Sequence, residues 1–138
     1  MELDRIITLT YIVRGGTYLY KIQFYKDPSG HRPVREFILE LSRKKGKNSR
    51  INLGKIQDYI KALRQYGTRL GEPYVKHIEG DIWELRPLRN RIFFVGWTEG
   101  KFILLHHFMK KTGKTPKREV EKAKREYADF IKRSDENE

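Results

Sequence analysis

Apolar residues recur at helical spacing twice in the first half of the chain. Val34, Phe37, Ile38 and Leu41 lie at i, i+3, i+4 and i+7, and this stripe predicts a short helix whose first residue is Pro33. A second stripe predicts a longer helix. Its apolar members are Leu53, Ile56, Ile60 and Leu63, and it ends near Gly67, a suitable C-cap. Before both helices, the alternating aromatic run TYLYKIQFYK predicts a strand.

The apolar pattern changes period in the second half of the chain. Four short strand-like runs follow one another at residues 74–78, 82–88, 91–97 and 101–109. The final segment, residues 115–133, returns to helical spacing. Its stripe consists of Val120, Ala123, Tyr127 and Ile131. Thr115 is predicted to be the N-cap of this helix and Pro116 its first helical residue.

The order of these elements is β-α-α-β-β-β-β-α. It predicts an α+β domain in which helices pack on one side of a mostly antiparallel sheet. We place this domain at residues 17–133, after an N-terminal extension at residues 1–16 and before a polar tail at residues 134–138. The β-branched run IITLTYIV within the extension is either an edge strand or a dispensable leader.

Hairpin geometry predicts which side chains share a face of the sheet. If residues 87–90 form a loop, Arg86 lies opposite Arg91, and the apolar side chains of both strands share the other face. The apolar pairs are Leu85 with Ile92 and Trp83 with Phe94. Like charges directly opposite each other destabilise a sheet by a few tenths to about 1 kcal/mol. The arginine pair therefore indicates a site where an anion such as a phosphate bridges the two charges.

The last strand carries two adjacent histidines. A two-residue turn at Glu99-Gly100 would place His106 on the same face as the arginines and Phe108 opposite the second arginine. His107 would then point with Leu105 toward the core. A slip of one residue would exchange the two histidines.

Positive charge dominates the composition. The chain has 30 Lys and Arg against 18 Asp and Glu, a formal net charge of +12. This balance favours an anionic partner: nucleic acid, an anionic membrane surface or an acidic protein. The charge concentrates in HHFMKKTGKTP, where the last strand passes into the final helix. Exposed lysines are usually only solvated charges, but we interpret Lys110, Lys111 and Lys114 at this exit as phosphate contacts.

The sequence gives no support to several other kinds of site. The absence of cysteine excludes disulfides and thiolate zinc sites, and the four histidines form no i, i+4 pair. No serine lies in a glycine-flanked elbow, and no P-loop or dinucleotide motif is present. We therefore expect neither a metal site nor a cofactor. The absence of cysteine fits a reducing cytosol, and no apolar run approaches the roughly 18 residues of a membrane-spanning helix, so we expect a cytoplasmic protein without a membrane partner.

The segment GDIWELRPLRNRIFFVGWTEGKFILLHHFMKKTGKTPKREVEKAKREY resembles the HigB-like branch of the RelE/ParE toxin superfamily, which also includes phage-derived host-toxicity proteins. The shared features are the ELR strand, the following strand that begins with arginine, and the lysine-rich exit into the last helix. The resemblance covers about residues 17–132 and implies the RelE-like β-α-α-β-β-β-β-α fold. It also implies a ribosome-dependent mRNA interferase that an antitoxin from the same operon neutralises.

The resemblance also implies site residues. Arg91 matches the family's arginine that binds the scissile phosphate, and Arg86 matches a second arginine of the family. Lys111 matches the family's basic residue at the strand exit. Glu84 stands where RelE has a lysine, and no residue matches the catalytic tyrosine that RelE carries at the start of its last helix. We interpret His106 as the acid/base group because the ordinary histidine pKa, about 6.5, lies close to working pH. The predicted RNA-binding residues are Lys76, His107, Phe108, Lys110 and Lys114.

RNA cleavage without a metal would use the ribose 2′-OH as nucleophile. For proton transfer, the alternative to histidine is a lysine whose pKa is lowered by cationic neighbours. The expected partners are mRNA on the ribosome and an acidic helix-turn-helix antitoxin of the HigA-like kind. Operator DNA is expected to bind only through the antitoxin complex. Two alternatives stay open: a ParE-like toxin that inhibits DNA gyrase without nuclease action, and a basic RNA- or antitoxin-binding module without catalysis.

Overall fold

The computed structural model describes residues 12–13, 16–17, 19–98, 100–111 and 113–136. Ahead of the main sheet, β1 (Ile12–Val13) pairs antiparallel with β2 (Gly16–Thr17), which spans the predicted boundary between extension and domain. The remainder of the IITLTYIV run and the last two residues of the polar tail lie outside the described residues. The assignments made for them stay predictions.

Three α-helices and a short 3₁₀ turn lie among the described residues. They are α1 (Pro33–Arg43), α2 (Lys47–Tyr66), the 3₁₀ turn (Gly67–Leu70) and α3 (Lys117–Glu136). Pro33 occupies the first turn of α1, and Gly67 is the C-cap of α2 with a φ of 64°, as predicted. A Cβ atom at Gly67 would lie 2.8 Å from the ring of Tyr20. Both the positive φ and this close approach require glycine.

A five-stranded sheet forms the centre of the molecule. Its strands are β3 (Lys21–Phe24), β4 (Val75–Glu79), β5 (Ile82–Leu85), β6 (Asn90–Trp97) and β7 (Lys101–Met109). They lie in the order β3-β7-β6-β5-β4, and each neighbouring pair is antiparallel except β3 with β7. The predicted α+β class, the mostly antiparallel sheet and the β-α-α-β-β-β-β-α order after the extension are confirmed. The first strand of this order is shorter than predicted.

The register of the sheet near the last turn differs from the prediction. Trp97 pairs with Lys101, so three residues rather than two connect β6 to β7. A β-bulge on β7 opposite Phe93 then shifts the register by one residue, and Arg91 lies opposite Phe108 as predicted. The pairs of Leu85 with Ile92 and of Trp83 with Phe94 are also confirmed. The longer turn and the bulge offset each other.

Both faces of the sheet are covered by helices. α1 and α2 pack on the face that carries Ile92, Phe94 and Leu104. α3 packs on the opposite face, against Phe93, Val95, Ile103 and Leu105. The predicted packing of helices on one side thus describes α1 and α2, whereas α3 covers the second face. The unbroken apolar runs IFFV and FILL are the corresponding sequence signal, because strands buried on both faces lose their alternation.

α3 begins one residue later than predicted. Its first turn closes on the carbonyl of Pro116, which accepts from the backbone N–H of Val120. Thr115 is not the N-cap, because its hydroxyl donates to Glu84 Oε2 at 3.1 Å instead. α3 continues to Glu136, so the predicted tail is helical over its first three residues. No helix of the described part is long and apolar enough to cross a membrane.

Candidate functional site

The β-bulge decides where the two adjacent histidines point. Phe93 of β6 lies opposite two residues of β7, Leu105 and His106, so both of these contact the α3 side of the sheet. His107 therefore reaches the opposite side. The prediction that His107 shares a face with Leu105 is wrong, because it assumed an unbroken alternation along β7.

His106 lies between the sheet and α3 rather than on an open surface. Its side chain is only 2% exposed. Nδ1 lies 2.5 Å from Glu126 Oε1, and Nε2 lies 3.0 Å from Glu119 Oε1. Two such hydrogen bonds need two protons, so either the imidazole carries both or a carboxyl group carries one. His106 does lie on the predicted face, next to the Phe93 ring and on the side of Arg91, but it is not open to a ligand there, because α3 covers this part of the sheet.

His107 is a packed residue on the α1 side. Its ring stacks on Phe37 with ring centroids 3.6 Å apart, and Nε2 lies 2.9 Å from Asn90 Oδ1. Burial, with a smaller contribution from His106, lowers the pKa of His107 to about 4. This side chain is therefore neutral near pH 7 and does not lie with the predicted RNA-binding residues.

Arg86 and Arg91 do share one face, as predicted, and they converge on a single acid. Arg86 Nε lies 3.3 Å and Arg91 Nε 3.7 Å from Glu84 Oε1. The Glu84 side chain is 1% exposed, while those of Arg91 and Arg86 are 8% and 20% exposed. The anion expected between the arginines is thus a carboxylate of the protein itself. Arg86 also lies 3.5 Å from the exposed Glu72.

Burial controls the charge state of this cluster. Desolvation raises the pKa of Glu84, and the hydrogen bond from Thr115 and the charges of Arg91, Arg86 and Lys76 oppose that rise. Neither Glu84 Oε1 nor Arg86 Nε has a hydrogen-bond partner among the described residues. The contact between these groups is therefore ionic rather than hydrogen-bonded.

The loop between β5 and β6 holds the second arginine in place. Arg91 Nη1 donates to the carbonyls of Leu88 at 2.9 Å and Asn90 at 2.8 Å. Leu88 has a φ of 59°, a left-handed conformation that costs a non-glycine residue about 1 kcal/mol or more. Arg89 Nη2 donates to the carbonyl of Lys110 at 2.8 Å, which ties the loop to the exit of β7.

A narrow cleft opens above the cluster of Glu84, Arg86 and Arg91, between the β5–β6 loop and the start of α3. We call it the strand-exit cleft. Its lining residues are Arg86, Arg91, Phe108, Lys110, Lys111, Gly113, Lys114, Thr115 and Pro116. Lys111 and Lys114 are exposed and Lys110 is half-buried. The charged members of the lining are all positive.

Most of the predicted site residues meet in the strand-exit cleft. The arginine pair, Phe108 and the lysines at positions 110, 111 and 114 line it. Lys76 of β4 lies opposite Glu84 of β5 in the strand register, and its side chain is exposed. His106 and His107 do not line the cleft.

Sequence reasoning gave no role to Leu88, placed Thr115 only at a helix cap, and named Glu84 only as the residue at the position of a RelE lysine. The alternation along β5 was a usable signal for Glu84, because it places this carboxylate on the same face as Arg86. No local signal identifies Thr115, whose contact with Glu84 depends on where α3 begins. Among the described residues, no group of three or more His, Cys, Asp or Glu side chains is arranged to hold a metal ion.

Comparison with known proteins places the chain in a family. No curated protein matches it. Residues 36–128, about two-thirds of the chain, match the family model described as phage derived protein Gp49-like. The matched range contains α2, all of β4 to β7, and every residue of the strand-exit cleft. The chain therefore belongs to the Gp49-like family of phage-derived proteins, which is associated with toxin–antitoxin systems and related to RelE-type toxins.

Proposed function

We propose that this protein is the toxin of a type II toxin–antitoxin pair and acts as a ribosome-dependent endoribonuclease that cleaves mRNA without a metal. The observation that supports this proposal is the strand-exit cleft. Two arginines lie side by side at its floor and three lysines line it, and the charged lining residues are all positive. Such a cleft suits the backbone of single-stranded RNA, which carries one phosphate per nucleotide.

The reaction would proceed within the RNA itself. The 2′-oxygen attacks the adjacent phosphorus and the 5′-oxygen of the next nucleotide leaves, which gives a 2′,3′-cyclic phosphate and a 5′-hydroxyl. One proton leaves the 2′-OH and one reaches the 5′-oxygen. Arg86 and Arg91 would stabilise the negative charge that develops on the phosphorane, and such electrostatic stabilisation is often the largest contribution to catalysis.

Proton transfer in this proposal is assigned to lysine rather than to histidine. His106 is enclosed by α3 and bonded on both ring nitrogens. The exposed lysines of the cleft are Lys111 and Lys114. Glu84 is a positioning residue in this scheme, because its buried carboxylate fixes the two guanidinium groups and does not reach the surface.

The test is cleavage of mRNA in a translating extract, with mapping of the new 5′ ends. Cuts in phase with codons are expected for the wild type. Lys111→Ala and Lys114→Ala should each slow cleavage by about 10²-fold, the usual contribution of one acid–base group or one charge-stabilising donor. Lys117→Ala is the matched control, because Lys117 is exposed on the first turn of α3 outside the cleft lining. Equal cleavage by all three variants would refute the assignment.

A ParE-like toxin that inhibits DNA gyrase without nuclease action is the second candidate. The observation that favours it is that no histidine lines the strand-exit cleft, so the usual acid–base residue is absent there. Intact mRNA together with gyrase-dependent DNA breaks after induction would support this candidate. Codon-phased cuts would eliminate it.

The family implies an antitoxin partner. We propose that this antitoxin is an acidic, HigA-like protein with a helix-turn-helix domain, which complements the net charge of +12 on the toxin. Operator DNA would then bind to the antitoxin part of the complex. The proposed site of action is the cytoplasm, where ribosomes translate.

A further inference from the structure

A second and larger cleft lies at the β3 edge of the sheet, opposite the edge formed by β4. It has a volume of about 560 Å³. Four of its eight lining residues are cationic and none is acidic. The cationic residues are Lys26, Arg32, Arg35 and Arg133. We call it the edge cleft, and the strand-exit cleft shares no lining residue with it.

Nearby acids are already engaged with other groups. The carboxylate of Asp27 accepts from the backbone N–H groups of Ser29 and His31, and that of Glu36 accepts from the backbone N–H of Arg32. Asp129 pairs with Arg133, whose guanidinium also donates to the carbonyl of Lys26. These contacts engage the carboxylates and fix the Arg133 side chain, and the charged side chains that line the cleft are all positive.

The edge cleft lies beside the end of β3, the terminal strand of the sheet, where Gln23 and Phe24 line it. The backbone N–H groups of Lys21 and Tyr25 donate inward, to Gly100 and Leu104 at 2.9 Å. Because such groups alternate along a strand, the N–H and C=O groups of Ile22 and Phe24 point away from β7. No further strand pairs with β3 among the residues that the structure describes.

The two sides of this edge resemble each other chemically. Arg32 and Arg35 stand at the start of α1, which covers one face of the sheet, and Arg133 stands near the end of α3, which covers the other. Phe24 and Phe130 supply apolar surface between them. A strand added beside β3 would present its alternate side chains to a guanidinium group on either face.

We propose that the edge cleft binds an extended acidic polypeptide segment, which adds a strand to β3 and places carboxylates against Lys26, Arg32 and Arg133. Backbone hydrogen bonds would provide affinity and the cations would select acidic side chains, as in other cases of strand addition. The open strand edge distinguishes this ligand from RNA, which has no matching row of amide groups. That the segment belongs to the antitoxin rests on the proposed function.

The test uses the full-length protein and a fluorescent eight-residue peptide of alternating Glu and Val, with binding measured by anisotropy. The same peptide with every second backbone nitrogen methylated should bind at least about tenfold more weakly, because methylation removes the donors that a strand needs. Lys26→Glu and Arg32→Glu should each weaken binding of the unmodified peptide roughly three- to tenfold, the scale of an exposed charge pair that is reversed.

Lys61→Glu is the matched control, since Lys61 is exposed on α2 and does not line the edge cleft. It makes the same change in net charge and should alter the affinity less than about twofold. Equal binding of the methylated peptide, or an equal effect of the control, would refute strand addition. If Arg32→Glu weakened binding of an eight-nucleotide single-stranded RNA but not of the peptide, the cleft would be assigned to nucleic acid instead. Neither assay involves cleavage, so failure here leaves the proposed nuclease untouched, and the converse also holds.

Discussion

At the scale of the residue, the site is shaped by which charges are buried together. Glu84, Arg86 and Arg91 form one cluster, and the Glu84 side chain is 1% exposed. Removing one partner of a buried ion pair is strongly destabilising, because the other charge stays buried without compensation. Arg91→Ala would therefore affect folding as well as activity. Exposed lysines of the cleft are better tests of function than either arginine.

The stability of the protein should depend on His107 in acid. Its pKa is about 4 in the folded state against 6.5 in model peptides. The unfolded chain therefore binds a proton that the native state does not bind between these pH values. The stability is fully present above about pH 6.5 and falls as the pH drops to about 4, by on the order of 3 kcal/mol.

Urea denaturation at several pH values checks this prediction. His107→Phe is the comparison, because phenylalanine retains the stacking surface on Phe37 but has no proton to bind. The variant loses the contact with Asn90 and should be less stable at pH 7 by about 1 kcal/mol, but its stability should fall less on acidification. Parallel pH profiles for the two proteins would contradict the prediction.

At the scale of the element, α3 is joined to the sheet by apolar and polar contacts. Val120, Ala123 and Phe130 pack in the second core cluster. His106 adds hydrogen bonds to Glu119 and Glu126 from the centre of β7. His106 therefore helps to attach α3 to the sheet. Its replacement should destabilise α3 before the rest of the fold.

We expect His106→Ala to lower the free energy of unfolding by about 3 kcal/mol or more, because it leaves two carboxylates facing an unfilled space. Hydrogen exchange measured by mass spectrometry should show faster exchange in α3 than in α2. His77→Ala, at an exposed histidine whose Nε2 donates to the carbonyl of Gly80, should cost less than about 1 kcal/mol. Unchanged protection of α3 together with lost RNA cleavage would return His106 to a catalytic role.

The elements themselves could be predicted from the sequence, and their relation to one another only in part. Helical stripes and a proline placed α1 correctly, and a glycine placed the end of α2. The register at Arg91 was also right, but through two errors that offset each other: a turn one residue longer than expected and a bulge opposite Phe93. Bulges depend on the packing of both faces, and no local pattern in β7 encodes one.

The content of the site was predictable to a similar degree. The strand alternation and the lysine-rich exit brought the arginines and lysines to one place. The burial of His106 could not be inferred from the strand pairs alone, because it depends on which face α3 covers. The edge cleft was missed because Arg133 lies far along the chain from Lys26, Arg32 and Arg35, and only the packing of α3 brings it beside them.

At the scale of the whole molecule, the net charge of +12 should govern the proposed association with RNA. If Arg86 and the three lysines of the strand-exit cleft each contact a phosphate, tripling the salt concentration should weaken binding of single-stranded RNA about twentyfold. Fluorescence anisotropy over a series of salt concentrations measures the slope. The double variant Lys111→Ala/Lys114→Ala should lower that slope by about 1.4, which corresponds to two lost phosphate contacts.

The double variant Lys117→Ala/Lys122→Ala is the control, since both lysines are exposed on α3 outside the cleft and the loss of charge is the same. Its slope should match that of the wild type. If the two double variants reduced the slope equally, the binding would reflect total charge and not the cleft.

The length of α3 sets a minimum size for any inhibitor anchored at the sheet edge. The helix has 20 residues, which corresponds to a length of about 30 Å. Its first residue follows Pro116 at the mouth of one cleft, and Arg133 near its end lines the other. A chain seated beside β3 would need roughly nine more extended residues to obstruct the proposed RNA path. Short acidic peptides should therefore occupy the edge cleft without blocking the proposed cleavage, whereas a partner long enough to follow the helix would do both.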